Sequence, residues 1–272
     1  MVMLVWGDCD QIPADDRGLA YGDGLFETIR VSHHTPTLRQ RHVDRLLAGT
    51  ACLRIPLSAS DLESAVDASL AHFRRDSDWV LKLILTRGSG GRGYTPSARP
   101  RPRLIASAHD MPPTPDTSGV VACLSAWNAH VPGPLAGLKS LNRLPQVMAS
   151  AEMPAGCYEA IMCDDSGRML EGTRTNLFLR LGDQWLTPPG SHLAVAGVMR
   201  AEVMARLAQQ GEPVLERPLP PALLEHPDCR ALVLVNSVVG AVPVRQIGDL
   251  RLPVDAGLAT ITDHAFLMEK FV

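Results

Sequence analysis

The sequence predicts a mixed α/β fold with some α+β character, arranged as two domains, and three observations lead there. Two amphipathic helical stretches, 39–53 and 60–73, each need a sheet to cover. Strand-like runs within 21–30, 79–86 and 103–108 supply one, and a second set begins at 120. Between the sets lies MPPTPDTSG, Met111–Gly119, which is proline-rich, lacks periodicity and reads as a linker. The expected domains are therefore 1–110 and 120–272, joined by 111–119, and 272 residues are enough for both to bury a core.

Residues 2–6 read as a short strand and Gly7-Asp8 as a turn. In YGDGLFETIR, Tyr21–Arg30, two glycines precede an alternating strand with Phe26, Thr28 and Arg30 on one face and Glu27 and Ile29 on the other. The 39–53 helix is expected to bury Val43, Leu46, Leu47 and Ala51, with Arg45 beside that stripe. Ser60-Asp61-Leu62-Glu63 reads as a capping box ahead of Leu62, Val66, Leu70 and Phe73. RGSGGRGY, Arg87–Tyr94, holds four glycines and two arginines and cannot be a regular element at low cost.

In AGLKSLNRLPQVMASAEM, Ala136–Met153, Leu141, Leu144, Val147, Met148 and Ala151 recur at helical spacing, so Lys139 is expected to enter a helix from its buried side. Strands joined by a hairpin follow from Tyr158 to Arg180, then another over Gln184–Thr187. Gly197 opens a helix whose apolar positions include Val198, Val203 and Leu207 and whose stop is Gly211. A core strand at 231–236 precedes SVVGAVPV, and a final helix is expected over 256–269.

Composition removes several function classes. With 26 basic and 29 acidic residues the formal net charge is −3, so no global field points to nucleic acid or to an anionic membrane. The six cysteines form no CxxC pair and no ligand-like grouping with histidine, so neither a disulfide framework nor a metal site is expected. MVMLVWGDCD reaches Asp8 too soon for a signal peptide and no apolar run is long enough to span a membrane, so a cytoplasmic protein is expected.

Several residues stand out chemically, each beside a plain structural reading. Lys139 is a lone amine at a buried junction and Glu171 a carboxylate in an apolar stretch; an unpaired charge there is costly, so each is either satisfied by neighbours or at work. Arg45 reads first as a surface ion pair and second as a phosphate clamp. Gly197 lets an anion approach the first N–H groups of a helix, although many helices begin so without a ligand. Ser237 and Val238, just beyond a strand end, offer a hydroxyl and backbone N–H groups. The glycine-rich loop with Arg92 has neither the lysine of a P-loop nor dinucleotide spacing, so it is no sign of nucleotide binding. Together, an amine for a Schiff base, an acid for a pyridine nitrogen and anchors for a phosphate match the needs of pyridoxal phosphate.

The strings YGDGLFETIR, HVDRLL, TRGSGGRGY, LKSLNRLPQV, EGTRTNLF, TPP at 187–189, GVMR and NSVVGAVPV occur in this order over nearly the whole chain. In them the chain resembles the branched-chain and D-amino acid aminotransferase family. The resemblance implies fold type IV of the pyridoxal phosphate enzymes, with a smaller N-terminal mixed-sheet domain, a larger C-terminal pseudo-barrel domain and a homodimer. It implies that Lys139 carries the cofactor, Glu171 faces the pyridine nitrogen and Arg45 holds the phosphate. The helix-start anchor falls on Val198 and Met199, and the second phosphate anchor on Ser237 with Val238. Many members have threonine where Met199 stands, so one hydroxyl is missing while the backbone N–H remains. Arg92 and Tyr94 fall where D-amino acid aminotransferases hold the substrate carboxylate, and Phe26 stands in place of a tyrosine.

Three features resemble the family's lyase branch more than its aminotransferases: RGSGGRGY, LKSLNRL with Arg143, and Thr28, where the lyases carry a threonine proposed to aid proton transfer. The resemblance thus implies loss of pyruvate from an aminated chorismate, with Lys139 as base. Arg92, together with Arg30 or Arg143, would meet the two substrate carboxylates. A D-amino acid or branched-chain aminotransferase is the alternative.

Overall fold

Along β2, Gly24–Ser32, burial alternates: Leu25, Glu27, Ile29 and Val31 are buried while Phe26, Thr28 and Arg30 are half-exposed. The period of two is the sheet's own, and it sorts the chain's apolar side chains from the ones that carry chemistry. A computed structural model describes residues 2–129, 133–255 and 257–263. It divides into two units, Met1–Met111 with Leu138–Asn142, and Pro112–Gly137 with Arg143–Val272.

In the first unit β1 (Met3–Trp6), α1 (Arg17–Tyr21) and β2 are followed by β3 (Thr35–Pro36), α2 (Arg39–Leu53), α3 (Ala59–His72), β4 (Trp79–Thr86) and β5 (Arg103–Asp110). The strands form a sheet in the order β1-β5-β4-β2-β3, antiparallel except where β1 runs parallel to β5. Val43 and Leu46 of α2 and Leu62 and Val66 of α3 join Leu25, Leu81 and Leu83 of the sheet in one core. Two local expectations are corrected. The buried stripe of α2 runs through His42, Val43, Leu46, Gly49 and Thr50, and Ala51 is exposed; Gly49 lies so close to Leu25 that a Cβ there would stand 2.7 Å from its Cδ1, which fixes the rotation of the helix. The cap of α3 is Ser58, whose Oγ accepts from the Asp61 N–H at 3.1 Å, so the helix starts earlier than the Ser60 box suggested.

The largest correction concerns Lys139. Residues 138–142 run as an extended stretch beside β2, with Phe26 N–H donating to the Lys139 carbonyl at 2.9 Å and Leu141 N–H donating to the Gly24 carbonyl at 3.1 Å. Gly24 permits this: a Cβ there would sit 2.1 Å from the Leu85 carbonyl and 2.9 Å from Leu141 Cδ1. The helix, α4 (Leu144–Ala151), begins only after Arg143, with Pro145 in its first turn, where a missing N–H costs nothing. It buries Gln146 and Ala149 and leaves Leu144 and Val147 exposed, the reverse of the expected stripe.

The second unit is built from β6 (Val120–Leu124), α4, β7 (Glu159–Cys163), β8 (Met169–Gly172), β9 (Asn176–Leu181), β10 (Gln184–Thr187), α5 (Val198–Gln209), β11 (Leu215–Glu216), β12 (Cys229–Asn236), β13 (Gly240–Ile247), β14 (Leu250–Arg251) and α6 (Gly257–Thr262). Strands β9, β12, β13, β6, β7 and β8 pair in that order, and β8 returns to β9 through Glu171 opposite Asn176, closing a six-stranded barrel. Ile161, Leu177, Leu179, Leu232, Leu234 and Val244 fill its core. The end of the helix expected to 269 lies outside the described residues. Among the described residues, no helix is long and apolar enough to cross a membrane.

Candidate active site

In the first unit the backbone pairing of 138–142 with β2 sets Lys139 beside Phe26, its Nζ 4.2 Å from the ring centroid. The chain has only three lysines, at 82, 139 and 270. Lys82 on β4 is opposite Thr28 in register and holds its Nζ 5.7 Å from the same ring. Phe26, Thr28 and two amines therefore meet on one face of the sheet, which alternation within β2 alone did not reveal. The partner strand of Lys82 is distant in sequence, so local pattern does not place it beside Phe26.

On the opposite face Glu27 is buried and clamps Arg45 along one edge: Arg45 Nε donates to Oε1 at 2.7 Å and Nη2 to Oε2. His42 Nδ1 meets Oε2 at 2.6 Å. Burial alone would push the Glu27 carboxyl up, but the charges and hydrogen bonds of Arg45 and His42 outweigh it and hold the group down at about 2. Burial pushes the His42 imidazole below its ordinary value against the pull of Glu27. Arg45 is thus tied to a buried carboxylate. A charged residue on the apolar face of β2 was the sequence signal for Glu27, and it was readable.

The other expected residues of this unit are placed apart. Arg30 donates through Nε and Nη2 to Asp78 at 3.2 and 2.6 Å, and Asp78 also accepts from Ser32 Oγ. Arg92 and Tyr94 are exposed on the glycine-rich loop. Arg17, itself buried, holds that loop by donating to the carbonyls of Gly93 at 3.0 Å and Tyr94 at 2.9 Å while its Nε is paired with Asp23.

In the second unit the barrel closure gathers the expected anchors around Asn176. Glu171, 2% exposed, lies opposite it in register and accepts from Val195 N–H at 3.0 Å. Asn176 Nδ2 donates to the Val195 carbonyl at 3.0 Å, and its register partner on β12, Val235, stands two residues before Ser237. Gly197, the N-cap of α5, packs against it so tightly that a Cβ would lie 2.0 Å from Asn176 Oδ1. Among the described residues no side chain caps this helix, which leaves its first turn suited to an anion. Met199 is buried, so only its backbone is placed to serve such a ligand. The Val238 N–H already donates to Asn236 Oδ1 at 2.9 Å, which shifts the weight of the second anchor to Ser237. Arg143 donates weakly to the Ala194 carbonyl at 3.5 Å; burial pulls its guanidinium below the ordinary value and the nearby Glu171 opposes that. The position of Asn176 depends on strand register, which pairs it with Glu171 and Val235.

Gly197→Ala tests this packing. It is expected to destabilise the fold by about 1–3 kcal/mol through overpacking, read as a lower urea midpoint, and to weaken pyridoxal phosphate binding measured by fluorescence titration. Unchanged values for both would show that Asn176 yields freely.

A family model described as amino-transferase class IV matches residues 24–247, most of the chain. The chain belongs to this family: it is a pyridoxal-phosphate-dependent enzyme with the mixed α/β architecture of fold type IV, a curled sheet in one unit and a closed six-stranded barrel in the other. Among solved structures it is similar to 4-amino-4-deoxychorismate lyase from Pseudomonas aeruginosa, at 40% identity and a TM-score of 0.86 over 94% of both chains. It is 32% identical to a putative branched-chain-amino-acid aminotransferase of Methanocaldococcus jannaschii over 94% of this chain and 88% of that protein. With an aminodeoxychorismate lyase of Vibrio harveyi it shares 29% identity, over 92% and 93% of the two chains.

The residues present fit this cofactor. The uncapped start of α5, with Gly197 forced by Asn176, suits a phosphate, and the buried Glu171 is an acid of the kind a pyridinium nitrogen needs.

Proposed function

We propose that this enzyme is a lyase converting 4-amino-4-deoxychorismate to 4-aminobenzoate and pyruvate. The observation that supports this reading is the 40% identity with the Pseudomonas aeruginosa lyase over 94% of both chains. Thr28, on the strand face that also holds Phe26 and the lysine amines, supports it.

In this proposal Arg45, the backbone N–H groups of Val198 and Met199, and Ser237 hold the cofactor's phosphate, and Val238 supports the turn that carries Ser237. Glu171 keeps the ring nitrogen protonated, and Lys139 anchors the aldehyde. Bound pyridoxal phosphate supplies an electron sink for the carbon that bears the substrate's amine. Lys139 would also serve as the base that takes the proton from this carbon. Thr28, or a water it orients, delivers a proton to the departing enolpyruvyl group, which leaves as pyruvate while the ring becomes aromatic. Phe26 and Tyr94 line the substrate, and Arg92 and Arg143 meet its two carboxylates. Arg30, engaged by Asp78, drops out of that set. The working form in this reading is a homodimer.

The test is pyruvate release from 4-amino-4-deoxychorismate by the purified holoenzyme, with 4-aminobenzoate appearing in equal amount and no second substrate needed. An aminotransferase reading is favoured by the Methanocaldococcus jannaschii relative. It predicts instead amino transfer from a D- or branched-chain amino acid to a 2-oxo acid. Holoenzyme that performs this exchange and releases no pyruvate would replace the lyase reading.

A further inference from the structure

At the exit of β1 the chain turns through Gly7–Asp10, and this turn meets the C-terminal end of α3. Asp8, Cys9 and His72 come together there, one ligand atom from each lying within 4.8 Å of the other two. Sequence spacing hides the grouping, because the histidine arrives from a helix folded back across the sheet. We infer that these three residues form a binding site for a divalent cation of the zinc class, separate from the cofactor site.

His72 Nε2 stands 3.5 Å from Asp8 Oδ1. A direct charge-assisted hydrogen bond would bring these atoms to about 2.7–2.9 Å. Two ligands roughly 2.1 Å from one tetrahedral metal stand about 3.4 Å apart. The observed gap is that of a loose ion pair and also fits the edge of a coordination polyhedron. The thiol, imidazole and carboxylate donors are the set that zinc prefers, with a water to complete four.

The surroundings hold the donors in place. The His72 ring is stacked on Trp6, with centroids 4.1 Å apart and planes 6° from parallel, and Phe73 meets its edge at 4.6 Å. Asp10 Oδ2 accepts from the Trp6 N–H at 2.8 Å, and the N–H groups of Cys9 and Asp10 both return to the Trp6 carbonyl. Asp10 thereby fixes the turn and adds negative charge beside the site. His72 also lies in the last turn of α3, where the helix dipole favours a cation. The ion would pin the β1 exit to α3.

The experiment loads purified holoenzyme with zinc sulfate, removes excess by gel filtration and measures retained metal and the zinc X-ray absorption spectrum. One zinc per chain is expected, with a sulfur at about 2.3 Å and nitrogen or oxygen at about 2.0–2.2 Å. Cys9→Ser and Asp8→Asn, both on the exposed turn, should each weaken zinc binding at least about tenfold and abolish the zinc-dependent rise in Tm. Cys52→Ser, at another exposed cysteine, should bind as the parent does. No retained zinc, a shell without sulfur, or equal retention in Cys9→Ser would overturn the site. Pyruvate release plays no part in the readout, so this result and that of the proposed reaction are independent.

Discussion

Lys139→Ala is expected to lose turnover by about four orders of magnitude, the upper range for removing a positioned acid–base group, and to lose covalent attachment of the cofactor altogether. The fold should survive, because the 138–142 stretch is held to β2 by backbone hydrogen bonds that do not involve the side chain. Far-UV circular dichroism and the urea midpoint should therefore match the parent. Lys82→Ala is the necessary companion, since its amine shares the Phe26 ring with Lys139. It should keep the covalent cofactor. A variant pair with these results exchanged would move the chemistry to β4.

The second large effect is on stability. Glu27→Gln removes the charge that Arg45 and His42 surround on the buried face of β2. Breaking such a pair by neutralising one partner costs about 3–5 kcal/mol, or a fall in Tm of roughly 10 °C at about 2–4 °C per kcal/mol for a chain of this size. Acid should act on the same group. The folded carboxyl titrates at about 2 against an ordinary value of 4.5, so its contribution is full above 4.5 and is lost as pH falls from there through 2. Denaturation midpoints between pH 7 and 3 should fall more steeply in the parent than in Glu27→Gln. Parallel slopes would show that Arg45 and His42 do not depress this carboxyl.

Much of the architecture was legible because local signals and the fold agree. The alternation of β2, the helix opened by Gly197 and the hairpin strands from Tyr158 to Arg180 all follow from periodicity and turn residues. The exceptions have physical causes. Lys139 was assigned to a helix because Leu141, Leu144 and Val147 mimic its spacing, yet pairing with β2 claimed 138–142 and left Leu144 and Val147 exposed. Nothing local to Asn176 marks it, and only barrel closure brings Glu171, Gly197 and the end of β12 around it. Arg30 looked available for substrate, but Asp78 precedes β4 and reaches it only through β2–β4 pairing. Long-range register is the quantity a single sequence withholds.

The most direct measurement is to reduce the holoenzyme with borohydride, digest it and locate the pyridoxyl group by mass spectrometry. With only three lysines in the chain the answer is unambiguous. The account predicts the label on the peptide containing Lys139, and a label on Lys82 or Lys270 would contradict it.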